Sequence, residues 1–384
     1  MRIIYQNPFI VGNYYAAKYF CDRNNETEAL CQSLLNGQNV VLLSSLRMGK
    51  TGLIRHCLNQ SALKRDYCPF FIDIYATGNL RELVFLLGKQ VFETLRQEGK
   101  KALSAFFDAV PSLKAALKTA PQSRTPLFDL GIGEISHPEQ TLEQILCFLE
   151  TLEKSGIIII DEFQQIFQYA EPRVDELLST LIRQHPHIRF ILSGSRRHTL
   201  QNVLFSPSNP LYQNATLLNL APIPKKKYIA FIHRHFREAG KDISPEQIGR
   251  VYEFFEGHTW YMQCYFNRLF TLLPTATPPT DELMQDCLTH IISLYESMFQ
   301  GILFRLSDRQ KELLYAIARE GKAKEIMSTA FIKKYTLLSP SSVQTSARQL
   351  LEKDFIDTDN HVYQIANRFF GLWLSREYGR GYRI

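Results

Sequence analysis

The segment Val40-Val41-Leu42-Leu43-Ser44-Ser45-Leu46-Arg47-Met48-Gly49-Lys50-Thr51 has the residue types and spacing of a phosphate-binding loop. It follows G-x-x-x-x-G-K-[ST], with Ser44 in the first Gly position. The chemistry of such a loop is anion capture. Backbone N–H groups at a helix start have no intrahelical partner and point at a ligand. Gly49 lets the backbone approach a β-phosphate, Lys50 neutralises the β/γ oxygens, and the Thr51 hydroxyl ligates Mg²⁺. Ser45, Arg47, Met48 and Gly52 complete the candidate phosphate contacts, with Arg47 as a second positive charge. A Gly-Lys-Thr triplet also opens ordinary helices, so the apolar strand before it is what strengthens the phosphate reading. Ser44 stands where glycine relaxes a tight turn, which predicts a slightly strained loop or weaker binding.

A second group of chemistry-bearing residues lies 110 positions beyond Thr51. Gly156-Ile157-Ile158-Ile159-Ile160-Asp161-Glu162-Phe163-Gln164 is an apolar strand that ends in two acids. Ligands of parallel α/β sheets sit outside the carboxyl ends of the strands. Asp161 is therefore expected beside the phosphate loop, holding Mg²⁺ through water, with Glu162 polarising an attacking water. Arg189-Phe190-Ile191-Leu192-Ser193-Gly194-Ser195-Arg196-Arg197 is a further strand whose end should lie beside the acid pair. Ser193 or Ser195 is placed to orient water or sense a γ-phosphate, and Arg196 and Arg197 to reach phosphates or to end in a solvated loop.

The elements that must position these residues read as a parallel α/β sheet. Strands are expected at Val40–Leu43, Phe70–Ile74, Gly156–Ile160 and Arg189–Leu192, nearly all apolar as strands covered on both faces should be. Helices are expected at Thr27–Leu35, from Gly49, and over Asn79–Gln97. Residues 98–140 read as an irregular insertion ending before a helix at Gln140–Lys154. From Pro224 to about Gln300 helical periodicity replaces strand signals. Lys225–Ala239 is one helix, and Ser244-Pro245-Glu246-Gln247 is a capping box that opens another. The last stretch predicts helices at Asp308–Arg319, Lys324–Tyr335 and Ser339–Glu352, then strands Phe355–Thr358 and Val362–Ile365 around an Asp359-Asn360 turn. That order is the winged-helix arrangement, closed by a helix at Arg368–Tyr378. The chain is thus expected to hold a P-loop core over 1–222, a helical lid over 223–300 and a winged helix over 301–384.

Composition narrows the class. Of 384 residues 45% are hydrophobic and 21% charged, which excludes disorder as the main theme. No apolar run approaches a membrane span, and the N-terminus shows no secretory signal, so a cytoplasmic protein without a membrane partner is expected. Seven scattered cysteines without a CxxC pair predict free thiols and no zinc site. His233 and His235 read as surface residues. The net charge is +6, and residues 301–384 carry 14 Lys and Arg against 9 Asp and Glu. Such a basic module raises duplex DNA as a partner, as well as a merely solvated surface.

At these residues the chain resembles the archaeal-type ATPase family, found in archaea and in bacteria such as Bacteroidetes, within the STAND branch of AAA+-related P-loop ATPases. The resemblance is carried by Phe20-Cys21-Asp22-Arg23-Asn24-Asn25-Glu26, by Arg47–Thr51, by Asp161–Gln164 and by Ser193–Arg196. Gly257-His258-Thr259-Trp260-Tyr261-Met262-Gln263 and the tail from Tyr363 to Leu374 add softer matches, with Thr259 where the family usually has Pro. The resemblance implies ATP rather than GTP as the nucleotide, with Mg²⁺, and a molecular switch in which ATP holds one arrangement of core, lid and winged helix. It also implies that Phe20 to Arg23 flank the adenine and that the Gly257-His258 turn approaches the nucleotide from the other side. No arginine finger is assignable in cis, so slow turnover is expected. Two other functions fit the same residues. One is a DNA-binding regulator with a structural nucleotide, using Ser341, Ser342, Gln344, Thr345 and Arg348 of the Ser339–Glu352 helix. The other is a nucleotide-binding scaffold without turnover. Winged helices in switch ATPases often pack against their own core or a protein partner instead, and no motif sets an oligomeric state.

Overall fold

The computed structural model describes residues 7–12, 14–97, 99–114, 117–118, 127–128, 135–195, 215–359, 361–379 and 381–384. These residues form two compact units, one spanning Tyr14–Ala221 and the other holding residues 7–12 with Pro222–Ile384.

The first unit is built on a five-stranded parallel sheet. Its strands are β1 (Asn39–Leu43), β2 (Tyr67–Asp73), β5 (Ser155–Asp161), β6 (Arg189–Gly194) and β7 (Ala215–Asn219), in the spatial order β2-β5-β6-β1-β7. Two-residue strands β3 (Leu117–Lys118) and β4 (Leu127–Phe128) pair separately as an antiparallel ladder. The four isoleucines of β5 show why the strand has no polar alternation. Ile158 and Ile160 enter one core cluster with Val41, Leu43 and Leu192, while Ile157 and Ile159 enter another with Val40, Leu42 and Ile191. Successive side chains point to opposite faces, so a sheet covered on both sides needs apolar residues at every position. Each such burial contributes about 1.5–3 kcal/mol before chain entropy is set against it.

Helices α1 (Asn24–Leu35) and α2 (Lys50–Leu58) pack together beside β1, and a short α3 (Ser61–Asp66) leads into β2. The long α4 (Leu80–Arg96) is capped by the Asn79 side chain, which accepts from Glu82 N. Most of its buried residues, from Leu83 to Leu95, join the core cluster around β2. The expected insertion contains α5 (Lys100–Ala109) and α6 (Pro111–Lys114) as well as the β3–β4 ladder. The remainder of that insertion lies largely outside the described residues. The next helix, α7 (Pro138–Leu149), starts two residues earlier than expected because proline is well suited to a first helical turn. A helix α8 (Val174–Gln184), between β5 and β6, and the edge strand β7 were not expected from sequence.

The second unit contains α9 (Lys225–Glu238), α10 (Pro245–Phe254), α11 (Thr259–Leu272), α12 (Asp281–Ser293) and α13 (Glu296–Phe304). The capping box at Ser244 and Gln247 is present in both directions. Residues 7–12 belong here because Phe9 is fully buried among Phe231, Phe236, Phe266 and Phe270. Asn7 Nδ2 donates to Asn267 O at 2.8 Å, and Asn267 Nδ2 donates to Phe9 O at 2.6 Å. His235 is buried, contrary to its surface assignment. It lies on the apolar stripe Tyr228, Phe231, Ile232, His235 and Phe236, with its ring edge-on to Phe231 at 4.6 Å. Helical spacing of 3 and 4 placed it inward whatever its polarity.

The winged helix follows as α14 (Asp308–Glu320), β8 (Ala323–Lys324), α15 (Thr329–Tyr335), α16 (Pro340–Glu352), β9 (Ile356–Asp359) and β10 (Val362–Ile365). β10 lies between β8 and β9 in an antiparallel sheet. Helix α15 starts five residues later than expected: Glu325 takes φ 47°, and the Ser328 hydroxyl accepts from Phe331 N as the cap. Lys324, expected in that helix, pairs in β8 instead. The closing helix α17 (Arg368–Tyr378) buries Trp373 and Phe369, the latter against Phe255, Trp260, Tyr261 and Tyr295.

None of the seven cysteines takes part in a disulfide. No helix among the described residues is long and apolar enough to cross a membrane.

Candidate nucleotide site

Strand β6 lies between β1 and β5, so the phosphate loop and the acid pair flank the Ser193–Ser195 strand end. The parallel register pairs Leu43 with Gly194 and Ile160 with Leu192, which brings three carboxyl-terminal strand ends level. Everything the sequence marked for chemistry on β1, β5 and β6 within the described residues is therefore at one edge of the sheet. Arg196 and Arg197 lie outside those residues.

The loop turns into α2 at Gly49, whose φ of 93° is left-handed and suits glycine. The first helical hydrogen bond runs from Leu53 N to Gly49 O at 3.0 Å, so the amides of residues 50–52 precede the ladder. Lys50 is only 6% exposed, and its Nζ donates to Ser44 Oγ at 3.2 Å. Ser44 is fully buried and is not in the left-handed region, so it carries none of the strain expected of it. Its hydroxyl instead gives Lys50 an acceptor and donates to Ser45 O at 2.7 Å. The left-handed residue inside the loop is Arg47, at φ 67°, with an exposed side chain. Met48 is buried.

Thr51 Oγ1 donates to Asp161 Oδ2 at 2.9 Å, joining the start of α2 to the end of β5. Asp161 is 6% exposed and its Oδ1 accepts from Glu162 N at 3.1 Å. No cluster of three or more His, Cys, Asp or Glu side chains suited to a metal occurs among the described residues. A hydroxyl and one carboxylate are what remains for a cation. That set fits Mg²⁺, which keeps waters and takes substrate phosphate oxygens rather than demanding a protein cage.

Glu162 adopts φ 55°, ψ 41°, a left-handed conformation, at the break between β5 and a 3₁₀ turn at Phe163–Gln168. Its Oε2 accepts from Gln164 Nε2 at 2.6 Å and from Ser195 Oγ at 2.9 Å. Sequence reading gave Ser195 a role but assigned none to Gln164.

Phe20 and Arg23 approach the loop from its other side. Arg23 is buried, with Nη1 donating to Glu26 Oε1 at 2.8 Å and to Ala221 O at 2.5 Å. Its Nη2 donates to Met48 O at 3.3 Å, which ties the chain before α1 to the loop itself. Phe20 stacks on His56 of α2, ring centroids 4.3 Å apart and 17° from parallel. A Cβ on Gly52 would meet the Phe20 ring at 3.6 Å, so the ring lies over the first turn of α2. His56, which also meets Tyr14 Oη at 2.9 Å, was not foreseen. Its only sequence signal is its place four residues after Gly52, one turn along the same face.

A family described as an ATPase domain predominantly from Archaea matches residues 20–264. The chain belongs to this family. Residues 297–376 match a second family, described as a probable winged helix domain. No curated protein matches the chain in sequence. Among solved structures, the Walker-type ATPase of Pyrococcus abyssi is similar at 20% identity and a TM-score of 0.63, covering 96% of this chain and 99% of that one. The Aeropyrum pernix ORC2 protein, in ADPNP–ADP complexes, is similar at 15% identity and a TM-score of 0.56, covering 94% and 95%. The Aeropyrum pernix ORC1 protein in complex with DNA is similar at 13% identity and a TM-score of 0.51, covering 93% of each chain. At these identities the likeness is one of fold: an archaeal-type P-loop ATPase domain followed by a winged helix.

Proposed function

We propose that the chain is an ATP-dependent molecular switch that binds Mg-ATP at Ser44–Thr51 and hydrolyses it slowly. In this reading the nucleotide state sets the arrangement of a core over 1–222, a lid over 223–300 and a winged helix over 301–384. The observation that carries it is the convergence of Lys50, Thr51 and Asp161, with Thr51 Oγ1 2.9 Å from Asp161 Oδ2. Ser45, Arg47, Met48, Gly49 and Gly52 line the phosphate path, with Lys50 leaving Ser44 Oγ to meet β/γ oxygens. Thr51 and Asp161 would hold Mg²⁺, which would supply charge neutralisation for the transferring phosphoryl group. Glu162 accepts a proton from the attacking water. Phe20 offers an aromatic face to the adenine. Arg23 is spent on Glu26, Met48 and Ala221, so it acts by holding the loop rather than by touching the base. The nucleotide in the A. pernix ORC2 relative supports the ligand class.

The test is Mg-ATP binding and single-turnover hydrolysis by the full chain. Wild type should bind and turn over. Lys50→Ala should lose binding, and Glu162→Gln should keep binding while losing about 100-fold or more in rate. A wild type that binds no nucleotide ends this reading.

A second reading, duplex DNA binding through the winged helix, is favoured by the surface of α16. Ser341, Gln344, Thr345 and Arg348 are exposed there, while Ser342 is half-buried within 3.4 Å of Arg309 Nη1. The DNA complex of the A. pernix ORC1 relative supports the same partner class. Arg348 stands 3.9 Å from Glu352, which weakens its positive field. Binding that falls steeply with salt would favour DNA; no binding at low salt would leave a protein partner.

A further inference from the structure

The surroundings of Glu162 hold more polar groups than a strand end requires. Gln164 is 6% exposed, and its Nε2 lies 2.6 Å from Glu162 Oε2 and 3.4 Å from Ser195 Oγ. The amide orientation is fixed by chemistry, because turning Oε1 toward the carboxylate would set acceptor against acceptor. That leaves Oε1 buried with no hydrogen-bond partner among the described residues. Ser193 Oγ, two residues before Ser195, is likewise buried without one. An orphaned buried acceptor is costly and calls for a missing donor, most simply a water. The neighbouring Phe163 and Ile166 anchor the 3₁₀ turn in the core, so Gln164 is held where it stands.

We infer that Gln164 is a positioning residue of the hydrolytic site. Its amide NH₂ holds the Glu162 carboxylate beside Ser195, and its Oε1 accepts a hydrogen bond from the attacking water. In the step itself the water oxygen bonds to the γ-phosphorus. The bond from that phosphorus to the β–γ bridging oxygen breaks, its electron pair leaving on ADP. One water proton passes to Glu162, and the other stays on the oxygen now bound to phosphorus. Gln164 orients and exchanges no proton. The inference rests on the ATPase reading above.

The experiment compares wild type with Gln164→Ala, Gln164→Met, Ser195→Ala and Ser195→Thr in the full chain. Mg-ATP affinity, single-turnover rate and melting temperature are read for each. Gln164→Ala should lose about tenfold or more in rate while affinity changes less than about threefold, a split that general loosening of the fold would not give. Gln164→Met, which keeps length and packing, should be as slow, and it stands in if the alanine variant does not fold. Ser195→Thr, which retains the hydroxyl, should recover most of the rate that Ser195→Ala loses. A hydrolysing wild type whose rate survives Gln164→Met overturns this inference alone, as does a parallel loss of rate and affinity. A wild type without hydrolysis overturns the ATPase reading together with it.

Discussion

The loop at Ser44–Thr51 and the surface ion pairs of the chain treat charge in opposite ways. In Tyr14–Ala221, Lys50, Asp161 and Arg23 are all buried, and they gather around one loop. Elsewhere the ion pairs are more solvent-exposed, in both units: Arg65 with Asp66 at 2.8 Å, Lys225 with Glu253 at 2.5 Å, and Glu256 with both Lys322 and Arg368 at 2.8 Å. Removing charge from water is expensive, whereas exposed pairs contribute little in either direction. The loop region therefore tolerates a cost that the exposed pairs avoid, and it does so where the sequence places its phosphate chemistry. Buried charge gathers at the candidate site, while paired surface charge ties neighbouring side chains together.

Mutations can sharpen or break that contrast. Arg23→Ala should have the largest effect on stability, about 2–4 kcal/mol in urea unfolding, because Glu26, Met48 O and Ala221 O lose a shared donor. A loss below about 1 kcal/mol would show that burial at this site is cheap.

In the second unit His258 predicts a pH dependence. Burial, and then the nearby positive charge of Arg368, lower the His258 pKa from 6.5 to about 4, against weaker opposing effects from Glu256 and the Phe255 carbonyl. The folded value lies below the unfolded one, so the unfolded chain takes up the proton first as pH falls. Stability from this group is complete above pH 6.5 and declines as pH falls toward 4, by about 3 kcal/mol in all. His258→Gln should flatten that part of the stability–pH curve; an unchanged slope would assign it elsewhere. The smallest effect is expected at Lys225→Ala, below about 1 kcal/mol, since its pair with Glu253 is exposed.

How much of this was legible in the sequence follows from what buries each element. β1, β5 and β6 are interior strands covered on both faces, so their apolar runs are continuous and their ends mark the site. β7 was missed because it is an edge strand, half-exposed from Ala215 to Leu218, and lacks that run. Residues 7–12 were assigned with the core by chain order, which cannot reveal that Phe9 is captured by a remote aromatic cluster. The Lys50–Ser44 and Gln164–Glu162 contacts were hidden for a similar reason: motif templates specify backbone turns and first contacts, while these depend on how side chains fold back on them. Ser44 is the clearest case, read as a defect and found as a hydrogen-bond partner of the loop lysine.

The central claim, that buried charge at the loop exists to hold phosphate, is tested most directly by melting the wild type and Lys50→Met with and without Mg-ATP. Wild type should melt several degrees higher in saturating Mg-ATP, by mass action on the folded state. Lys50→Met, which replaces a buried ammonium with an apolar chain of similar length, should melt no lower than wild type without nucleotide and show no shift with it. A variant that melts far below wild type, or that still shifts with Mg-ATP, would contradict the account, because the lysine would then serve the fold rather than the ligand.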